Sequence, residues 1–274
     1  MNSICVLIPT KNRKQLLERA LASVFNQTVT PNEIIVVNDG SIDDTELFLK
    51  KITNSHSNLK VINRKSSGGV NVARHDGIDQ SDSEWVACLD DDDEFFSDAI
   101  EKIKCRLDKI PDNYNIVFFN SIINKSNGSF SGGYQFDDSR EFVDLNYDDM
   151  MLIKSKVRGD FKPVMRKKLF SHDGYRFPES VNGLESHFFY LVARDGKGLR
   201  CYRDICTNIH QENEIYDRLS INASKKNPWP LLKLHVKQIP QHYKFYLRHP
   251  LLLVRKLEVM LRLLIRSTLP FLFR

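Results

Sequence analysis

The sequence predicts an α/β protein built on a mostly parallel, Rossmann-like sheet with helices on both faces. Three observations predict it. Apolar runs of strand length alternate with stretches of helical periodicity through the N-terminal half. The runs are apolar at consecutive rather than alternate positions, so each strand expects cover on both faces. Turn-forming residues close the runs.

In order, Ile4–Ile8 is an apolar run ended by Pro9, and Lys14–Phe25 carries Leu16, Leu17, Ala20, Leu21 and Val24 at helical spacing. Glu33–Val37 is a second strand, closed by Asn38-Asp39-Gly40-Ser41, and Asp43 or Asp44 can cap a helix to about Ile52. Leu59–Ile62 reads as a third strand. A helix to about Ile78 follows Ser66-Ser67-Gly68-Gly69, and the run Trp85–Leu89 is the next strand.

That strand drives into Asp90-Asp91-Asp92-Asp93. Four adjacent carboxylates repel one another unless water or a cation screens them. Their oxygens suit a hard divalent ion, Mg²⁺ or Mn²⁺, which usually shares its coordination with substrate phosphates. The plainer reading is a solvated turn capping the helix that starts near Ser97.

In a parallel sheet the ligand sits beyond the carboxyl ends of the strands. Pro9–Arg13, Asn38–Ser41 and Asp90–Asp93 lie at those ends and are expected to converge. Asp39, beside the small Gly40, can accept from a base N–H or a ribose hydroxyl. Arg13 and Arg74 have the fork geometry for a diphosphate. Gly68-Gly69 at a helix start offers backbone N–H groups to an anion. Each of these also has a plain reading as a turn, a loop or a solvated side chain.

Together the segments resemble a known family. Val6-Leu7-Ile8-Pro9-Thr10-Lys11-Asn12-Arg13, Glu33–Thr45, Gly68–Ile78 and Leu89-Asp90-Asp91-Asp92-Asp93 are similar, in this order, to the opening blocks and DxD motif of the family 2 glycosyltransferases. The resemblance implies a GT-A fold, a nucleotide-diphospho-sugar donor (UDP-sugar first), a Mn²⁺ or Mg²⁺ cofactor, and inversion at the anomeric carbon. It places Pro9, Thr10 and Arg13 in the nucleotide pocket, Asp39 on the base, and Arg74 near the diphosphate or donor sugar. Asp90 and Asp91 then belong to donor binding and Asp92 to the metal. Lys11 stands where the family often has an aromatic residue, and Asn38 where it often has a second Asp.

An inverting transfer needs a base for the acceptor hydroxyl. The family takes it from an acidic pair at the start of a later helix. Here Asn182–Arg194 matches, with Glu185 the candidate, His187 a weaker one, and Ser186 in place of the second acid. The alternative is that Glu185 only favours a helix N-terminus by its charge, worth about 0.3–1 kcal/mol.

Ile116–Ile123 and Phe130–Phe136 read as strands around a hairpin at Asn127-Gly128, Asp144–Ile153 as a short helix, and Leu199–Tyr202 as a last strand. Tyr134, Phe136 and Tyr147 suit a sugar ring or a core equally. By the same resemblance His210 lies where some GT-A enzymes place an extra metal or phosphate ligand, and its plainer reading is a surface histidine. The expected organisation is a nucleotide-sugar half at 1–110, a smaller mixed acceptor half at 111–228, and a basic amphipathic helical tail at 229–274.

The chain has 274 residues, 41% hydrophobic and 27% charged, enough for a sizeable core. Its net charge of +5 is uneven: residues 231–274 carry nine Lys/Arg against Glu258 alone, leaving the remainder at −3. A slightly acidic body argues against nucleic acid as a partner. Five cysteines without a CxxC or Cys/His cluster, and a start without a basic and apolar leader, predict reduced thiols in a cytoplasmic protein. Residues 251–266 form a helix-compatible run about 24 Å long whose charges fall mid-span, unsuited to crossing a bilayer. Its basic stripe and wide apolar face predict a peripheral protein on the anionic inner face of the cell membrane, with packing on a domain as the alternative. The expected enzyme is a metal-dependent, hexosyltransferase-type glycosyltransferase acting on a glycan or lipid-linked acceptor. The rival of another class is a non-catalytic GT-A-like sugar-nucleotide-binding or scaffold protein. A sugar-1-phosphate nucleotidyltransferase is disfavoured because no glycine lies in Pro9–Arg13.

Overall fold

The computed structural model describes residues 2–125, 130–132, 140–152, 161–179, 185–211 and 228–268. The chain divides into two compact units, Met1–Phe177 with Phe188–Glu212, and Pro178–His187 with Asn213–Arg274.

The first unit opens with β1 (Ile4–Thr10), α1 (Lys14–Phe25), β2 (Glu33–Asn38), α2 (Thr45–Thr53), β3 (Leu59–Asn63), α3 (Val70–Gln80) and β4 (Trp85–Cys88). The four strands are parallel, in the order β3-β2-β1-β4. All seven residues of β1 are buried. Ile4, Val6 and Ile8 join Leu17, Leu21 and Val24 of α1 in one core, while Cys5 and Leu7 join Ala73 and Ile78 of α3 in another. This is the two-faced burial that an unbroken apolar run requires. Gly77 lets α3 lie close to the sheet, since a Cβ there would collide with Leu7.

The first strand runs through Pro9 rather than ending before it. Thr10 faces β2, because its carbonyl accepts from the Asp39 N–H at 2.9 Å. Strand alternation then turns the missing Pro9 donor toward β4, whose pairing with β1 stops at Leu7. The ladder to β4 ends after the Leu89 N–H bond to the Leu7 carbonyl, so proline sits where no further β1–β4 pairing follows.

Beyond β4 come β5 (Glu94–Phe95), α4 (Ala99–Leu107), β6 (Tyr114–Lys125), β7 (Phe130–Gly132), β8 (Phe142–Leu145), α5 (Tyr147–Leu152), β9 (Phe161–Arg166), α6 (Lys168–Ser171), α7 (Ser186–Arg194) and β10 (Gly198–Gln211). The sheet continues β4-β9-β6-β10-β5, with β9 antiparallel to both neighbours and β6 parallel to β10. The mixed region is thus part of the same sheet. Asp144 lies in β8 rather than in a helix, where Phe142–Leu145 alternate exposed and buried against β10. The expected final strand extends to Gln211 and so includes His210. β6 and β7 are antiparallel as the hairpin reading requires. Asn127-Gly128, Tyr134 and Phe136 lie outside the described residues. The cysteines are free thiols.

In the second unit the tail folds as α8 (Trp229–Gln241), α9 (Tyr243–Arg248) and α10 (Pro250–Thr268), with α10 packed on α8. Leu263 is buried in α10, whereas Leu251, Val254, Leu257, Leu261 and Leu264 are exposed at spacings of three and four. Among the described residues no helix is long and apolar enough to cross a membrane.

Candidate active site

Two parallel strands, β1 and β4, deliver their carboxyl ends to one cluster. From β1, Thr10 Oγ1 donates to Asp91 Oδ2 at 2.8 Å, across 81 positions of sequence. Arg13, just before α1, places one nitrogen 3.1 Å from both Asp91 Oδ1 and Asp92 Oδ2. From α3, Arg74 Nη2 donates to Asp90 Oδ1 at 2.8 Å and its Nη1 to Asn71 Oδ1 at 3.0 Å. Arg19 of α1 donates to the Asp92 carbonyl at 2.7 Å. Thr10, Arg13, Asp91 and Asp92 are thus joined directly, as are Arg74 and Asp90, with Pro9 next to Thr10 in β1.

The remaining cation comes from β9. Lys162 Nζ lies 2.6 Å from Asp90 Oδ2 and 2.5 Å from Asp93 Oδ2. Because β9 runs against β4, its first residues sit at the carboxyl end of β4. The four acids then divide by environment. Desolvation opposes the charge on Asp90, but Lys162 and Arg74 outweigh it and hold its carboxyl well below the usual range. Burial pushes Asp91 up to about 6, with the neighbouring charge of Asp92 adding to the rise and Arg13 and Thr10 resisting it. Burial and the charges of Asp90 and Asp92 push Asp93 upward against Lys162.

Asp39 is placed differently from a carboxylate waiting for a ligand. Its Oδ1 accepts from the Gly68 N–H and lies 2.8 Å from Arg64 Nε, and its Oδ2 accepts from Ser67 Oγ and the Gly69 N–H. Three hydrogen bonds and the ion pair with Arg64 thus surround this carboxylate. The anion that the Gly68-Gly69 amides bind is therefore Asp39 itself. Gly40, at φ +69°, lets the β2 turn lie against the next loop, since a Cβ there would fall 2.9 Å from the Ser67 nitrogen. Asn38 donates to Asn63 Oδ1 at 2.9 Å and accepts from the Ser41 N–H, tying the ends of β2 and β3.

Lys162, Arg64 and Arg19 were not apparent as cluster residues from sequence. Arg64 directly follows a strand, as the Asp run does, and that position was a readable signal. Lys162 had none, since its place depends on the antiparallel insertion of β9. His210 Nε2 stands 3.4 Å from Glu94 Oε1, itself 3.0 Å from Arg19 Nε, so it reaches the cluster through Glu94 rather than facing only solvent. Tyr147 packs on a hydrophobic core.

Glu185 belongs to the second unit and immediately precedes α7. Two positions on, His187 is buried, its Nδ1 3.0 Å from Gln238 Nε2 of α8 and its ring 5.8 Å from that of His242. Gln238 Oε1 in turn accepts from Lys256 of α10.

Among the described residues no three His, Cys, Asp or Glu side chains gather as a protein-only metal site. What the cluster offers is hard oxygen, with Asp92 the most exposed of the four carboxylates at 41%. That suits an ion that keeps several ligands from phosphate and water.

A family model described as glycosyl transferase family 2 matches residues 5–169. The chain is 30% identical over 231 residues to a GalNAc(5)-diNAcBac-PP-undecaprenol beta-1,3-glucosyltransferase of Campylobacter jejuni, covering 82% of this chain and 69% of that protein. It is 26% identical to the succinoglycan biosynthesis protein ExoU of Rhizobium meliloti, over 69% of this chain and 56% of the relative. Among solved structures, S. aureus TarS 1-349 in complex with UDP-GlcNAc superposes with a TM-score of 0.66 at 18% identity, over 86% of this chain and 66% of that one. The UDP complex gives 0.63, over 85% and 63%. At this identity the likeness shows the fold, which is GT-A.

Proposed function

Because this chain belongs to glycosyl transferase family 2, we propose that it moves one hexose-type sugar from a nucleotide-diphospho-sugar, a UDP-sugar by preference, to a glycan or lipid-linked acceptor with inversion. The observation that carries this reading is the meeting of Thr10 and Arg13 on Asp91 and Asp92 beside Arg74 on Asp90. Guanidinium groups beside carboxylates at the ends of parallel strands can hold a diphosphate and orient a sugar. The similarity to an enzyme named for an undecaprenol-linked acceptor supports the lipid-linked alternative.

In this reading residues 1–110 hold the donor and 111–228 the acceptor. Pro9, Thr10 and Arg13 line the nucleotide pocket, and Asp39 meets the base by exchanging one of its present hydrogen bonds. Arg74 receives the diphosphate, and Asp90 and Asp91 orient ribose and sugar. Asp92 holds Mn²⁺ or Mg²⁺, which when bound stabilises the negative charge of the departing nucleoside diphosphate. Glu185 takes the proton of the acceptor hydroxyl as that oxygen attacks opposite the leaving group, which inverts the anomeric carbon.

The tail supplies location. The exposed aliphatic row of α10 lies beside Arg255, Arg262 and Arg266, which follow one another at spacings of seven and four. Apolar insertion and attraction to anionic lipid then act on one side of one helix. We place the protein peripherally on the cytoplasmic leaflet, where a lipid-linked acceptor is presented.

Incubation with a panel of nucleotide-sugars, with Mn²⁺ or with EDTA, tests the activity. Metal-dependent hydrolysis of a UDP-sugar is expected. Tight binding of a sugar-nucleotide with no turnover on any acceptor or water favours the non-catalytic binding protein instead.

A further inference from the structure

Arg13 contacts the Asp cluster in a way that its role toward a diphosphate does not explain. A single nitrogen, Nη1, lies 3.1 Å from Asp91 Oδ1 and 3.1 Å from Asp92 Oδ2. One positive group thus sits between two carboxylate oxygens, the arrangement a bridging cation makes. The other two cations on these acids are more enclosed. Arg74 and Lys162 side chains are 10% and 14% exposed, against 29% for Arg13. Arg13 also meets the most exposed acid, Asp92.

The local backbone leaves this side chain replaceable. Arg13 is the N-cap residue of α1 and makes no side-chain cap, while its carbonyl accepts the Leu17 N–H at 2.9 Å. The helix start is held by backbone, so the guanidinium can change partner without unwinding α1.

A divalent ion and this guanidinium compete for the same oxygens. Mg²⁺ sits about 2.1 Å from its oxygen ligands, and a positive group 3 Å from those oxygens would repel it. We propose that Arg13 is an internal counter-cation that neutralises Asp92, the metal-holding acid, by tying it to Asp91, and transfers to the donor diphosphate when the metal–nucleotide pair enters. This rests on the donor reading given above and adds an order to it. Metal alone must displace Arg13 with no new anion to receive it, so it binds weakly. With a nucleoside diphosphate present, Arg13 exchanges carboxylates for phosphate, and each ligand strengthens the other by the same factor.

The test is titration of the full chain with Mn²⁺ alone, following free Mn²⁺ by its paramagnetic resonance, with and without UDP. Arg13→Gln is expected to bind Mn²⁺ alone at least tenfold tighter than the wild type, and the strengthening by UDP is expected to shrink. Adding Asp92→Asn to Arg13→Gln is expected to remove the gain, which locates it at the cluster. Arg13→Lys keeps the charge and is expected to retain weak binding of Mn²⁺ alone. A folded Arg13→Gln protein with no gain overturns the proposal, as does an Arg13→Lys protein that gains as much as Arg13→Gln. Should Arg13→Gln fail to fold, Arg13→Ala takes its place in every one of these comparisons. If the wild type binds no Mn²⁺ even with UDP, the metal reading fails along with this one. If it binds Mn²⁺ with UDP but no variant gains, only the role of Arg13 fails.

Discussion

Lys162 Nζ lies 2.6 Å from Asp90 Oδ2, joining β9 to the end of β4 across 72 positions of sequence, and the same ammonium reaches Asp93. Lys162→Met removes the charge that lets Asp90 and Asp93 coexist. Breaking a buried pair costs about 3–5 kcal/mol near neutral pH. Asp90 keeps Arg74, but Asp93 loses the ammonium and regains neutrality by protonation, so the variant recovers stability as pH falls. Urea midpoints at pH 5 and pH 8 check this, and an equal loss at both argues that Lys162 acts only by packing.

The most exposed acid gives the cleanest test of the metal. Asp92→Asn is expected to abolish transfer and to weaken Mn²⁺-dependent nucleotide binding while the protein stays folded, since removing one carboxylate relieves repulsion. A folded Asp92→Asn protein that retains full activity in EDTA would remove Asp92 from the metal site.

For Glu185, replacement by Gln is expected to lower turnover by about 10²-fold or more, the usual scale for a lost general base. Donor affinity is expected to hold, because a base faces the acceptor. Weakened donor binding with turnover intact reassigns Glu185 to the pocket wall.

At the amino end of β2, Glu33 gives a pH prediction. Its Oε2 accepts from Ser81 Oγ, Ser83 Oγ and the N–H groups of Asp82 and Ser83, and its Oε1 from Lys60 at 2.8 Å. Burial opposes its charge, but Lys60 and these donors outweigh it and bring the carboxyl down to about 2. A depressed carboxylate contributes stability that is present above its unfolded value and lost as pH falls toward the folded one. Glu33→Gln is expected to cost about 2–3 kcal/mol at pH 7, with the gap from wild type closing between roughly pH 4.5 and 2. Thermal melts of both proteins across that range measure it.

Membrane attachment is tested on exposed arginines rather than by truncation. Arg255→Glu with Arg262→Glu leaves the buried side of α10 untouched. The double variant is expected to lose flotation with anionic liposomes at low salt. The wild type is expected to weaken with salt without full release, because its aliphatic row is not screened. Equal flotation of both proteins points to a different occupant of that face.

The strand ends were the most legible part of the molecule. Ile4–Ile8 and Ile34–Val37 are apolar at every position, which only a two-sided sheet explains, and the polar residues after them had to lie at one edge. Helix α1 runs over Lys14–Phe25 as its periodicity requires. Asp39 was legible as a carboxylate at that edge, but not as the ligand of Gly68 and Gly69, since that depends on how closely Gly40 lets two loops approach. Lys162 was hidden because a strand's direction is set by pairing rather than composition. Asp144 was misplaced because Phe142–Leu145 is too short for its alternation to stand out from the helix that follows.

The segment carrying Glu185 and His187 clusters with residues 213–274, although the rest of α7 and β10 separate them in sequence. His187 is held by Gln238, and Gln238 by Lys256. For the protein engineer the second unit is therefore a spliced cassette, entered at 178, left at 187 and resumed at 213. A chimera that exchanges the C-terminus alone would pair one protein's His187 with another's α8. Exchanging this unit between relatives calls for both pieces to travel together, with junctions at 177/178, 187/188 and 212/213, and a C-terminal truncation at 228 removes Gln238 from His187.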